Sequence, residues 1–143
     1  MVTLRNLPSG WFVALLAAAG ALTVAGIYLW TINGEGEDQL GSSRVIFIAS
    51  CIVAAAVLAS VGTFVRNLWA SLLLRGLAAF MLVLLTVLGA ASIGIALLLP
   101  AILALRSAAE SASKVPASAA WPTIAGAAVA DIAIVALGVA STS

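Results

Sequence analysis

Asp131 is the residue whose position in the sequence most suggests chemistry. It follows Trp121 by ten residues in an apolar stretch, which corresponds to about 15 Å of helix and therefore to the middle of a bilayer. An ionised carboxyl group is costly at that depth, so the side chain is expected to face other helices or a partner. The sequence thus places one acid where it can bind a proton or join two helices.

Three interpretations of Asp131 are open. In the first, it joins helices by a hydrogen bond to Thr86 or Thr23, both of which are expected near mid-depth. In the second, it pairs with a polar or cationic group of another subunit. In the third, it relays protons or cations. Because no second ionisable group is expected at that depth, we favour a role in assembly over transport.

The helix face around Asp131 is rich in small residues. Helical spacing places on this face Ile124, Ala127, Ala128, Ile134, Val135 and Gly138. Small side chains allow another backbone to approach closely, so the face is the predicted helix contact. The residues expected at that contact, or at a proton site, are Asp131, Ala127, Ala128, Gly138 and, on the third span, Thr86.

A similar pattern occurs near the start of the chain, where Ala17, Ala21 and Ala25 recur at every fourth position. Such spacing indicates a close helix contact, although an alanine-rich composition also produces it by chance.

Most other chemistry is excluded by the residue types that are missing. The chain has no histidine, which excludes His-ligated zinc and the usual general base. Cys51 is the only cysteine, so neither a disulfide nor an iron–sulfur cluster is available. No phosphate-binding loop and no nucleophile–base pair occurs, and the acidic segment from Glu35 to Asp38 lacks the later ligands of a calcium loop. We therefore expect no enzymatic activity, no cofactor and no metal ion.

The composition indicates the environment of the protein. Of 143 residues, 64% are apolar and 8% are charged, and the mean hydropathy is +1.27. A surface that faces water needs more charged residues than this chain has. The chain is therefore predicted to be an integral membrane protein in contact with lipid. The absence of a basic stretch argues against nucleic acid as a partner.

Apolar runs of about twenty residues predict an all-α membrane protein with four transmembrane helices in one antiparallel bundle. The whole chain, residues 1–143, then forms a single membrane domain. In the apolar run from Leu68 to Leu105, Arg75 is expected to reach the head groups, and Pro100 to kink a helix that continues beyond it. The expected spans are 11–32, 45–64, 76–99 with helical extensions on both sides, and 121–141.

Four crossings would place both termini on the same side of the membrane. The positive residues are divided equally between the two sides, but Arg5 precedes the first span and the acidic residues fall on the other side. Both termini are therefore expected inside, in a plasma membrane or a bacterial inner membrane.

These expectations favour a small non-catalytic accessory subunit of a larger membrane complex, of the respiratory or transport type. Its partners would be lipid and other integral membrane subunits. The alternative is a homo-oligomeric channel, or a transporter of protons or cations, that works through Asp131.

Overall fold

The computed structural model describes residues 10–35, 43–88 and 94–141. The described part is all-helical, with 93% of its residues in five helices and no strand. We number the helices in chain order: α1 is Trp11–Glu35, α2 is Ser43–Phe64, α3 is Leu68–Leu88, α4 is Gly94–Ala112 and α5 is Ala117–Ser141. Each is long and apolar enough to cross a membrane. The sequence-based count of four spans was therefore wrong.

The error lies in the long apolar run that follows Leu68. A third span from 76 to 99 was expected, with Arg75 marking its end at the head groups. Instead the run is divided between α3 and α4. Arg75 is 2% exposed inside the bundle, so it does not mark the end of a span. Pro100 lies inside α4, which continues past it to Ala112.

Local signals explain where α3 and α5 begin. The side-chain Oδ1 of Asn67 accepts a hydrogen bond from the backbone N–H of Trp69 at 3.1 Å, which caps the first turn of α3. The carbonyl of Pro116 accepts hydrogen bonds from the N–H groups of Ala119 and Ala120, both at 2.9 Å. Proline fits just before α5 because its missing N–H would have no helical partner there.

The centre of the bundle is built mainly from alanine. Ala17, Ala21 and Ala25 of α1 are buried, so the spacing by four noted in the sequence lies at a helix contact. α1 packs against α2 and α4. A Cβ added to Gly20 would lie 3.1 Å from Cγ of Pro100, so α1 and α4 pass close together at this point.

The helices run in alternating directions through the bundle. The start of α1 at Gly10 contacts Glu110, near the end of α4, and also lies beside Arg75, in the first half of α3. α5 packs mainly against α3. The two helices are parallel, since Gly76 faces Ala127 and Met81 faces Asp131. The connections 65–67 and 113–116 therefore lie at the end of the bundle that contains Gly10.

Many hydroxyl groups of the described helices donate to a carbonyl of their own helix. Their oxygens donate to the carbonyl four residues earlier, at 2.7–2.9 Å, in Thr23, Thr31, Ser50, Ser60, Thr63, Thr86 and Thr123. Such bonds keep a hydroxyl paired where no water is present. Large apolar side chains, including Trp30 and Trp121, point outward from every helix.

Five crossings would place the two termini on opposite sides, whereas the expectation that both lie inside depended on four. Arg5, which supported that orientation, and residues 36–38 of the acidic segment lie outside the described residues.

Single-cysteine labelling distinguishes the two topologies. With Cys51 replaced by serine, cysteines at Gln39 and Ser113 are expected to react with an impermeant thiol reagent from opposite sides of the membrane, because α2, α3 and α4 separate them. Four spans would place both positions on one side. Labelling of both from the same side of intact cells would contradict the five-helix topology.

Candidate functional site

Asp131 lies on the one face of α5 that is buried. This face consists of Ala120, Ala127, Asp131, Val135 and Gly138. Ile124 and Ala128 are half-buried beside it, whereas Ile134 is exposed. Four of the five sequence-predicted site residues, namely Asp131, Ala127, Ala128 and Gly138, therefore lie on or beside a helix contact within the chain.

The Asp131 carboxyl group is enclosed by α2 and α3. It lies beside the backbone of Met81 on α3 and close enough to Cys51 on α2 for the two side chains to interact electrostatically. Asp131 is 0% exposed. The Met81 backbone is the polar group nearest to it, but neither oxygen makes a hydrogen bond of good geometry with the described residues. A buried carboxyl group without a partner is unusual, because burial of a polar group is costly unless it is hydrogen-bonded.

The two threonines expected to bind Asp131 do not do so. Thr86 donates to the carbonyl of Leu82 at 2.7 Å, and Thr23 donates to the carbonyl of Ala19 at 2.8 Å. Thr86 lies two residues before the end of α3, about 7 Å along the helix from Met81. It is therefore not level with Asp131, because α3 begins earlier than the expected third span.

Glycines allow α5 to approach its neighbours. A Cβ on Gly76 of α3 would lie 3.5 Å from the Cβ of Ala127, and a Cβ on Gly138 would overlap the ring of Phe47 on α2. Asp131 lies between these two contacts along α5. The packing on both sides of it therefore keeps the carboxyl group enclosed.

Arg75 is the second charged residue that is buried among the described helices. Its Nη1 donates to Oγ of Ser111 on α4 at 2.8 Å, and Ser111 donates to the carbonyl of Ser107 at 3.1 Å. Sequence reasoning missed this role because it assigned Arg75 to the head groups. Two pairs of polar residues at a spacing of four, Ser71 with Arg75 and Ser107 with Ser111, were the available signal.

Gly62 of α2 makes room for Arg75. A Cβ at Gly62 would lie 3.1 Å from Cγ of Arg75. The carbonyl of Gly62 accepts a hydrogen bond from Oγ of Ser71 at 2.7 Å. α2, α3 and α4 are thus joined by hydrogen bonds at this end of the bundle. These bonds add to the van der Waals contact between small side chains.

Glu110 connects this cluster to the start of α1. One carboxylate oxygen lies 3.3 Å from Nε of Arg106, and the other contacts Gly10. Glu110 also interacts electrostatically with Arg75. Gly10 has a φ of 82°, a conformation in which glycine is favoured. A negative charge at the N-terminal end of α1 also complements the helix dipole.

The chemistry available to this arrangement is narrow. Among the described residues, no group of three or more His, Cys, Asp or Glu could hold a metal ion. Cys51 is buried, and a buried thiol is inert because the reactive form is the exposed thiolate. Asp131 and Arg75 are separated by about 9 Å along α3, measured from Met81. Asp131 can bind or release a proton, and Arg75 can hold helices together.

Comparison with known proteins adds no further assignment, since no protein family, curated protein or solved structure matches the chain.

Loss of the bond between Arg75 and Ser111 is expected to weaken the bundle. Ser111→Ala removes the acceptor of a buried, charged donor and should lower the free energy of unfolding by about 1–3 kcal/mol. Arg106→Ala is the control, since its side chain is 70% exposed and an exposed pair within one helix contributes about 0.3–0.5 kcal/mol. Denaturant unfolding in detergent measures both variants. Equal losses would contradict the buried role of Ser111.

The contact between Gly138 and Phe47 provides a matched pair of glycine substitutions. Gly138→Ala forces the Phe47 ring to move and should lower the free energy of unfolding by about 1–3 kcal/mol, the usual cost of overpacking. Gly126 lies on the same helix with nothing within 4 Å of an added Cβ, so Gly126→Ala should cost nothing. Thermal unfolding in detergent compares them. If Gly138→Ala were as stable as Gly126→Ala, the close approach of α5 to α2 would be refuted.

Proposed function

We propose that this chain is a small non-catalytic subunit of a larger membrane complex, of the respiratory or transport type, that packs laterally against other membrane subunits. The observation that carries the proposal is the nature of its surface. Large apolar side chains point outward from all five helices, and the connections between helices contain only three to seven residues. Such a chain offers lateral contact area but little room for a catalytic domain between its helices.

The outer face of α5 is the part of the surface best suited to a partner helix. Only 22% of the most apolar part of α5 is buried, against 50% in α3. An added Cβ on Gly126 meets nothing within 4 Å, and Ala130, four residues later, is exposed. Small residues at this spacing allow a second backbone to approach closely, and close packing is what joins helices in lipid.

The alternative is a homo-oligomeric channel or a transporter of protons or cations that works through Asp131. The observation in its favour is the burial of the Asp131 carboxyl group without a partner among the described residues. Intramembrane acids of this kind commonly belong to ion or proton pathways.

Purification in a mild detergent separates the two proposals. We expect a fixed set of other membrane subunits to co-purify with the chain, and Gly126→Leu to reduce their recovery, because the leucine blocks close approach to α5. Gly26→Leu is the matched control, since Gly26 on α1 also has nothing within 4 Å of an added Cβ. Recovery of a symmetric homo-oligomer without other subunits would favour the alternative.

A further inference from the structure

We propose that Asp131 is a proton-binding site within the bundle, that it holds its proton at neutral pH, and that its ligand is a proton rather than a metal cation. This inference does not rest on the proposed function, because it concerns the interior of the chain and not its outer surface.

The Asp131 side chain is completely enclosed by the bundle. Asp131 is 0% exposed, and its position on α5 lies between the contact of Ala127 with Gly76 and that of Gly138 with Phe47. The backbone of Met81 lies beside the carboxyl group, but no hydrogen bond of good geometry reaches either oxygen from a described residue. An ionised carboxylate that is shielded from solvent and lacks well-formed hydrogen bonds is costly, so the neutral acid is favoured.

No compensating positive charge lies among the described residues that face Asp131. On α2 the thiol of Cys51 lies near Asp131, whereas the charged residue Arg44 is exposed and lies about 10 Å further along the helix. α3 contributes the backbone of Met81. The charged residue of α3, Arg75, lies about 9 Å from Met81 along the helix and donates to Ser111 on α4. α5 carries no second charged residue. Nothing described near Asp131 can therefore replace the proton as a source of positive charge.

The described charged groups of α4 contact one another or the start of α1. On α4, Arg106 and Glu110 form an ion pair with each other, and Glu110 contacts Gly10 at the end of the bundle. On α1, the described residues from Trp11 to Gly34 include no charged side chain.

The groups around Asp131 suit a proton better than a metal cation. Hard cations such as calcium take about six to eight oxygen ligands, whereas no described group of three or more acidic, cysteine or histidine side chains could hold a metal. The nearby Cys51 contributes a soft sulfur atom, which is not a ligand that hard cations prefer. Two carboxyl oxygens beside one helix backbone suit a single proton.

A side chain that binds a proton and a side chain that joins two helices need different surroundings. An acid that joins helices does so through a hydrogen bond, and Asp131 makes none of good geometry with the described residues. A buried polar group without a partner lowers stability, and an apolar side chain of similar size can replace it at little cost. Asp131→Val, which is closer in size to aspartate than leucine is, is therefore expected to fold and to leave the packing of α5 intact.

The test uses the fact that the chain contains two aspartates, Asp38 and Asp131. In the variant Asp38→Asn, aspartate labelled with carbon-13 at the side-chain carboxyl group marks Asp131 alone. Infrared spectra in lipid vesicles are then recorded as the pH is raised, because the carbonyl band of a protonated acid is separate from the bands of a carboxylate. The double variant with Asp131→Asn, which cannot titrate, serves as the control for band assignment.

We expect the labelled protonated-acid band at neutral pH, with equal intensity in sodium, potassium and choline chloride. Its conversion to carboxylate bands at alkaline pH, or its persistence, both agree with a site that holds a proton at neutral pH. Labelled carboxylate bands alone at neutral pH would overturn the proposal. A loss of the acid band on addition of sodium or potassium would also overturn it, because the ligand would then be a metal cation.

Failure of this test leaves the proposed function untouched, since co-purification and the effect of Gly126→Leu depend on the outer face of α5. Conversely, a chain recovered without partner subunits can still hold a proton on Asp131.

Discussion

Van der Waals contact between small side chains is the interaction on which this structure depends. Lipid tails are as apolar as leucine, so helices gain no hydrophobic stabilisation by exchanging lipid for one another. Close approach must supply the stability instead, and alanine and glycine permit it, as where Gly20 meets Pro100 and Gly76 meets Ala127. The arrangement differs from that of a soluble protein: alanine is the commonest residue of the core, and most of the large apolar side chains lie outside.

Close approach also determines how polar groups are accommodated. Gly62 leaves space for the stem of Arg75, whose guanidinium reaches a serine on the next helix. Most hydroxyls bond within their own helix, so they add no contact between helices. Asp131 follows neither pattern, because it is enclosed as fully as Arg75 but makes no described hydrogen bond. The bundle thus contains one buried charge that joins helices and one acid that does not.

Much of this architecture can be predicted from hydropathy, and the failures have identifiable causes. The expected spans from 11 to 32 and from 45 to 64 lie close to α1 and α2, because polar residues separate them. The next run was divided wrongly because an arginine in a span is expected at its end. Only the tertiary structure shows that Arg75 donates to Ser111 on another helix. Gly89 and Ser92, between the last residue of α3 and the first of α4 in the sequence, are residue types that weakly favour the end of a helix. The burial of Asp131 against other helices could be predicted from the cost of an acid in a span, but its neighbours on α2 and α3 could not, since helical spacing does not specify which helices meet.

The odd number of helices has a consequence for how such a unit can be duplicated. Because the described helices alternate in direction and number five, a second copy fused directly after the first would enter the membrane upside down. Inverted repeats of this kind, related by an axis in the membrane plane, are the basis of many secondary transporter folds. A four-helix unit, by contrast, can only be repeated in the same orientation.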